Sequence, residues 1–565
     1  MIIVKTKESY RRRIRDALLR TNEKKLLLIS AVVAVSLAVY FNALFNGFVY
    51  DDDTQVLANA WIKDIRYIPE MFSSSVAGFD KAAGHVISNY FRPVMHLVYM
   101  FNYHVFGLKP WGFHLMNILI HAGVSALVFI LADLLFVKSS SSGSVPFRLP
   151  PFLAAILFAT HPIHTEAVTW IASLPELSFS FFSLLSLYLY IRYRDGSKNY
   201  YILSVLSFFV ATLCKETALT LPLMLIVYDY AFIKKKERLA VFIKRYMPYF
   251  IVMGVYLAMR YNALGGLAPN KSHQELGSYQ YFINIFPLFA QYMGKLILPI
   301  NLNAYYVLHP VSSAFAARSI ISFCIVTVFI LLAVLALRKS KIAFLSLAFI
   351  AIPLLPVLYI PGVGENTFAE RYLYFPSFGF ALLLVWLLAR TGLRLPKGSR
   401  LVIWVALVLI GLYSAGTISR NSVWKDDIIL FEDTVKKSPD GAIPRGMLGY
   451  ALAYRWHTDE AIEQYRISLA LKPYNPVIHT NLGSAYAEKG FLDKAIEEFK
   501  IAIRLRPGYA DAHYNLGQAY MLGGALDEAI KHFGAAARLN PRDPEYNSRL
   551  AYALRLKNSV PPGGR

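Results

Sequence analysis

Four groups of charged residues sit at the edges of long apolar runs, where a charge is costly and asks for a reason. The first is Asp51-Asp52-Asp53, in FNGFVYDDD. Adjacent carboxylates repel one another, which raises a pKa or attracts a cation. They could serve as a general base or as a plain solvated flank. The second is His161-Pro162-Ile163-His164-Thr165-Glu166, followed by Glu176. Two histidines and a glutamate are metal-ligand types, but Pro162 interrupts the helical spacing that such sites use. A satisfied polar cluster at a helix turn is the competing reading. The third, Cys214-Lys215-Glu216, is either a local ion pair or a phosphate-binding lysine moderated by Glu216. The fourth is Glu370-Arg371 in AERYLYFPSFGF, and Arg92 in NYFRPVMH poses the same question. An arginine there is an interfacial anchor or an anion ligand. Together, acids that take a proton and cations that hold an anion suit a reaction on a lipid phosphate.

The elements that must position these groups are apolar. The chain has 565 residues, 56% hydrophobic and 17% charged, with a mean hydropathy of +0.42. Soluble domains are about 45–50% apolar and about 25% charged, so a soluble or disordered chain is excluded. Two cysteines, Cys214 and Cys324, build no disulfide framework. Met1–Lys25 is basic, and the apolar run Leu26–Phe45 after it is long enough to cross a bilayer, which takes roughly 20 residues. No small-residue cleavage site follows, so the run is expected to be an uncleaved anchor with its N-terminus inside. Ten further spans are expected at about 113–136, 151–170, 175–193, 199–215, 217–233, 242–261, 319–337, 342–361, 373–390 and 400–419, about eleven in all. The short links at 137–150, 191–199, 234–245, 338–341 and 390–400 are basic and belong inside. The longer or mixed links at 46–112, 262–318 and 362–372 belong outside. The run 281–300 holds Pro287, Gly294, Lys295 and Pro299, and reads as an interfacial or re-entrant piece of an outer loop. Odd parity sends the C-terminus outside, and all four charged groups fall on that outer face.

The net charge of +22 follows the same division. The inside segments hold 27 basic and 5 acidic residues, and the remainder holds 31 of each. The basic excess therefore reflects orientation and calls for no nucleic-acid partner.

After Ser419 the composition changes. Pro439, Pro473, Pro507 and Pro541 stand 34 apart, as do Gly449, Gly483 and Gly517, and Ala461, Ala495 and Ala529. This is the tetratricopeptide period. Small residues let paired helices approach, and the proline ends each second helix. Full repeats are expected at about 442–475, 476–509 and 510–543, with flanking helices at Trp424–Ser438 and Glu545–Lys557. The fold class is therefore all-α: a polytopic membrane helix bundle followed by an α-solenoid. The expected domains are a basic N-terminus (1–25), a membrane domain (26–419) with outer loops 46–112 and 262–318, repeats (424–557) and a tail (558–565).

In order and spacing, these strings resemble the transmembrane and tetratricopeptide repeat O-mannosyltransferases, within the GT-C superfamily of polyprenyl-phosphate-sugar glycosyltransferases. FVYDDD (Phe48–Asp53), NYFRP (Asn89–Pro93), GLKPWGFHLMNILIH (Gly107–His121), HPIHTEAV (His161–Val168), CKE (Cys214–Glu216), AERYLYFPSFGF (Ala369–Phe380) and SRNSVWKD (Ser419–Asp426) carry the resemblance. Two features depart from it. Where the family often has an arginine–acid pair this chain has Leu174-Pro175-Glu176, so only Glu176 carries over, and the repeat array is short. The resemblance implies an inverting transfer of a sugar, mannose favoured, from a polyprenyl-phosphate donor to a hydroxyl, such as a protein Ser or Thr. The acceptor, a polypeptide or glycan, would bind near the repeats. Asp51 or Asp52 would be the base, Asp51 placed first because superfamily members carry an acid directly after the first span. Lys215, Arg371 and Arg92 would hold the donor phosphate, and His164, Glu166, Glu176, Glu216 and Glu370 would support them. The scheme requires no metal, although Asp51, Asp52 and Asp53, or His161 and His164, could hold one. The expected location is a cytoplasmic membrane with extracytoplasmic repeats, or the endoplasmic reticulum membrane in a eukaryote. A non-catalytic membrane receptor that binds proteins through the repeats is the alternative. It leaves the four outer charged groups unexplained.

Overall fold

The computed structural model describes residues 23–79, 88–139, 149–233, 238–267, 273, 276–360, 366–392 and 398–559. Most of the basic N-terminus, Lys234–Lys236 and the end of the tail lie outside these. Among the described residues every regular element is helical, and the chain divides into two compact units. The first runs mainly from the N-terminus to Lys425, and the second mainly from Asp426 onward.

The first unit holds α1 (residues 23–39), α2 (Ile68–Ser73), α3 (Pro93–Phe106), α4 (Pro110–Ser139), α5 (Leu149–Thr160), α6 (Thr165–Thr169), α7 (Leu174–Arg194), α8 (Tyr200–Cys214), α9 (Leu221–Phe232), α10 (Leu239–Leu264), α11 (Ser278–Ile297), α12 (Ala317–Lys339), α13 (Lys341–Ala351), α14 (Pro376–Gly392) and α15 (Gly398–Asn421). Among the described residues, six helices are long and apolar enough to cross a membrane: Pro110–Ser139, Ile171–Arg194, Leu239–Leu264, Ala317–Lys339, Lys341–Leu358 and Arg400–Trp424. Three shorter apolar ones are Leu149–Thr160, Tyr200–Cys214 and Pro376–Thr391. The run expected as one span at 151–170 is broken instead. Helix α5 ends at Thr160, the turn Pro162–His164 follows, and α6 restarts at Thr165. Pro162 lacks the amide hydrogen that would continue α5. Pro353 and Pro356 likewise tighten the continuation of α13 into 3-10 geometry over Ile352–Leu358. Helix α11 contains Pro287 and lies outside the six.

Proline also starts helices here. Pro93, Pro110, Pro175, Pro222 and Pro376 occupy the first turns of α3, α4, α7, α9 and α14. That position needs no amide hydrogen, and the fixed φ suits the helix. Arg92 immediately precedes α3, Glu176 lies in the first turn of α7, and the turns that carry Lys215 and Arg371 lead into α9 and α14. A core built around Leu131, Phe158, Leu177, Leu187, Tyr190 and Phe378 packs α4, α5, α7 and α14 together.

The second unit stacks α16 (Asp427–Lys437), α17 (Ala442–Tyr454), α18 (Thr458–Leu471), α19 (Pro476–Glu488), α20 (Leu492–Leu505), α21 (Ala510–Leu522), α22 (Leu526–Leu539) and α23 (Pro544–Ser559). The periodic glycines have a steric reason. A Cβ on Gly449, Gly483 or Gly517 would come within 2.7–2.8 Å of the ring of Tyr465, Phe499 or Phe533. Gly490 and Gly524 turn between paired helices at φ +79° and +78°. In the first repeat Trp456 holds the same place at φ +65°.

Candidate active site

The acidic loop is tied down on both sides. After α1 a 3-10 turn, Phe41–Phe45, leads to Asn46, whose amide donates to the Asn421 carbonyl at 3.0 Å. Gly47 N donates to the Lys425 carbonyl at 2.9 Å. Asn421 itself donates to the Val39 carbonyl and accepts from Thr169 Oγ1, which ties the end of α15 to the ends of α1 and α6. Tyr50 adopts φ +58°. For a bulky side chain this is a true outlier, of the kind that a site holds in place. Its ring stacks on Trp170 at 5.3 Å, and Trp170 stacks in turn on Trp424 at 5.8 Å.

The three aspartates differ in kind. Asp52 is fully buried, and its two carboxylate oxygens accept from Val49 N at 3.0 Å and Ala172 N at 2.8 Å. It joins the acidic loop to the turn before α7. The Asp51 carboxylate accepts no hydrogen bond among the described residues. Burial raises its pKa from the ordinary value, and the nearby Arg371 guanidinium pulls it back. Asp53 begins a one-turn π-helix, Asp53–Leu57, and burial raises its pKa as well.

Each sequence-expected cation meets a glutamate from a distant part of the chain. Arg371 pairs with Glu166, which also accepts the Arg371 amide at 2.8 Å. Lys215 pairs with Glu176, and both are buried. Arg92 Nη2 reaches Glu216 Oε1 at 2.9 Å. Cys214-Lys215-Glu216 is therefore no local ion pair, because each charge is answered from another helix. Glu166 and Glu176 lie in the first turns of α6 and α7, where the helix dipole favours an acid. Burial opposes the charge on Glu216, but Arg92, Arg260 and Lys215 outweigh it and draw its carboxyl down to about 2.

Three further groups were missed in the sequence. Arg260, near the C-terminal end of α10, approaches Glu216 at 3.9 Å and donates to the Asn89 carbonyl at 2.6 Å. Its position at the end of an apolar helix was the available signal. Tyr372 lies under two cations, Lys215 Nζ at 4.5 Å and the Arg371 guanidinium at 5.0 Å. Arg92 covers Tyr90 at 4.2 Å. The aromatic faces add cation–π attraction to the ion pairs.

Both histidines of the second group are buried. His161 Nδ1 accepts from Ile163 N and Nε2 donates to the Leu296 carbonyl, so both ring nitrogens are engaged. His164 Nε2 lies 2.7 Å from Ser377 Oγ. Glu370 is buried at the base of the turn that carries Arg371. Among the described residues no three His, Cys, Asp or Glu side chains are grouped to hold a metal. Asp51 is thus a half-buried carboxylate, with no hydrogen bond of its own among the described residues, in the field of the Arg371 guanidinium. Beside it four cations alternate with three glutamates, a setting able to take a proton and hold an anion.

A tetratricopeptide repeat family model matches residues 480–544. Over longer stretches the chain is similar to protein O-mannosyl-transferases. That named TMTC3 from Mus musculus is 27% identical over 523 residues, covering 82% of this chain and 52% of its own length. TMTC3 from Homo sapiens is 27% identical and covers 80% of this chain and 52% of its own. Protein O-mannosyl-transferase F38B6.6 from Caenorhabditis elegans is 27% identical and covers 78% and 62%. The chain thus spans about half the length of the first two. Among solved structures, the first TPR of Spaghetti (RPAP3) bound to an HSP90 peptide is 28% identical over 21% of this chain and 94% of its own, with a TM-score of 0.21.

Proposed function

We propose, from the premise that this chain is a homologue of the transmembrane and tetratricopeptide repeat O-mannosyltransferases, that it is a multi-pass membrane glycosyltransferase. It moves mannose from a polyprenyl-phosphate donor to a Ser or Thr hydroxyl of an acceptor polypeptide, with inversion. The repeats bind the acceptor on the extracytoplasmic face, which an odd number of crossings after an inside N-terminus would require.

In this reading Asp51 takes the proton of the acceptor hydroxyl as that oxygen attacks the anomeric carbon. The bond from that carbon to the phosphate oxygen breaks on the opposite face of the sugar, and its electron pair leaves with the polyprenyl phosphate. The phosphate gains one negative charge, and fixed cations that meet it there lower the barrier. Arg371 is the foremost of these. It spends its amide and Nη1 on Glu166, which leaves guanidinium donors for an anion. Arg92 spends Nε and Nη2 on Glu216 and keeps Nη1. Lys215, buried against Glu176, adds field more than contact. Asp52, with both oxygens given to backbone amides, positions Asp51 and takes no proton. Glu166, Glu176 and Glu216 hold the cations in place, and Arg260 braces Glu216.

The observation that carries the reading is the uncommitted Asp51 carboxylate in the field of Arg371, beside a pair-locked row of cations. It is tested by giving the purified protein a panel of polyprenyl-phosphate sugars with unstructured Ser/Thr-rich polypeptides. Consumption of the mannosyl donor above the others supports the reading. If no donor is consumed across the panel, the protein is a receptor that uses its repeats for binding alone.

A further inference from the structure

The repeats contain a groove with chemistry of its own. It lies between the second helices of two successive repeats, α18 and α20, with α19 as its floor. Its volume is about 600 Å³, within the roughly 300–1,000 Å³ of ligand pockets. Leu469, Leu482, Ile501 and Leu505 make it mainly apolar, and Tyr474, 79% exposed, stands at its margin. One charged pair inside is already satisfied: His479 Nδ1 meets Glu498 Oε2 at 2.6 Å, and His479 Nε2 donates to the Pro473 carbonyl at 2.9 Å. Two charges are not. Arg466 on α18 and Arg504 on α20 are exposed and have no ion-pair partner among the described residues.

The repeats provide an internal comparison, since residues 34 apart occupy the same place. Ala470 in α18 corresponds to Arg504 in α20 and Arg538 in α22. Tyr474 corresponds to Gly508 and Arg542, and Ile501 to Ala535. The scaffold positions, by contrast, keep their character: Gly449, Gly483 and Gly517, or Pro473, Pro507 and Pro541. Where a long arginine stands in the later repeats, this groove has a methyl group. Where they have glycine or arginine, it has an aromatic ring. The opening therefore comes from Ala470, while Tyr474 and Ile501 add apolar lining at this one junction, and the two unpaired cations stand on opposite walls.

We infer that this groove binds an acidic segment of a polypeptide, one bulky apolar side chain entering between α18 and α20 while flanking carboxylates meet Arg466 and Arg504. The inference deepens the reading of the repeats as the acceptor-binding part and rests on it for its biological role. The physical claim about the groove stands apart from sugar transfer. Unpaired guanidiniums over an apolar floor complement carboxylates beside an apolar anchor and repel a basic segment.

The test uses the full chain in detergent micelles, without a sugar donor, and fluorescence anisotropy of three labelled decapeptides. One carries a central Leu between pairs of Asp, the second replaces the acids with Lys, and the third replaces the Leu with Gly. The first should bind at least tenfold more tightly than either other. Ala470→Arg should weaken it tenfold or more. This variant should fold, because α20 and α22 already carry arginine at that place. The double variant Arg466→Glu/Arg504→Glu should lose the acidic peptide and gain the basic one. Equal binding of acidic and basic peptides, no binding of either, or an Ala470→Arg variant that binds as wild type overturns the inference. Peptide binding with no sugar transfer would leave the groove standing and remove the enzyme reading. Transfer with no peptide binding would do the reverse.

Discussion

Asp52→Ala removes a carboxylate that is fully buried and accepts the amide hydrogens of Val49 at 3.0 Å and Ala172 at 2.8 Å. Both amides would be left without that acceptor. An unsatisfied buried donor costs roughly 1–3 kcal/mol, so the pair gives about 2–6 kcal/mol of lost stability. Asp51→Asn, one position earlier, breaks no side-chain hydrogen bond among the described residues and conserves size. Its fold should be unchanged. Its chemistry should not be, since a positioned base contributes about 10²–10⁴ in rate, or about 2.7–5.4 kcal/mol of barrier. The assay pairs thermal unfolding of the detergent-solubilised protein with the rate of sugar transfer by the same samples. Asp52→Ala should melt well below wild type, and Asp51→Asn should melt with it while transferring at least a hundredfold more slowly. The reasoning is refuted if Asp51→Asn destabilises as much as Asp52→Ala, or if Asp52→Ala melts like wild type.

Other consequences follow from the same geometry. Asp51 must be ionised to take a proton, and its pKa lies above the ordinary carboxylate value, so transfer should fall as pH drops through that raised value. Arg371→Ala removes the charge that pulls it back, so the acid limb of the residual rate should move to higher pH, whereas Arg371→Lys should move it less. In the repeats, Gly483→Ala sets a Cβ 2.7 Å from the Phe499 ring. Overpacking of that kind costs about 1–3 kcal/mol, to be read as a lower thermal midpoint with the fold retained. His532, half-buried beside His513 at 3.1 Å, has its pKa lowered to about 4. Its neutral form is the one the fold favours, so stability should be lost as pH falls from about 6.5 toward that value. His532→Glu would recreate the His479–Glu498 arrangement one repeat later, and melting curves at pH 7 and pH 5 should then differ less than in wild type.

What could be read from the sequence depended on how far apart the deciding residues stood. The repeats were legible because one contact, a glycine against a ring sixteen residues on, recurs three times with the same spacing. The acidic loop and the cations were legible because a charge beside an apolar run needs a reason. Their partners were not. Glu166 and Arg371 are 205 residues apart, and Glu176 and Lys215 are 39 apart. No local pattern announces such pairs, and the neighbouring Glu216 suggested a wrong one. Arg260 was hidden in the same way, counted as the end of a span while its donors reach into the site. The difference in hydrogen bonding between Asp51 and Asp52 depends on two backbone amides, one of them 120 residues away. The break after Thr160 was foreshadowed by Pro162, although the apolar run around it read as one span.

The most direct test of the central claim is one reaction followed to its product. Purified wild-type protein and the Asp51→Asn variant would be given polyprenyl-phosphate mannose of known anomeric configuration and a polypeptide acceptor, and the linkage of the product determined by NMR. The account expects a mannosyl-Ser or mannosyl-Thr linkage of inverted configuration from the wild type, and transfer slowed at least a hundredfold in the variant. Retained configuration, or equal rates from the two proteins, would contradict it.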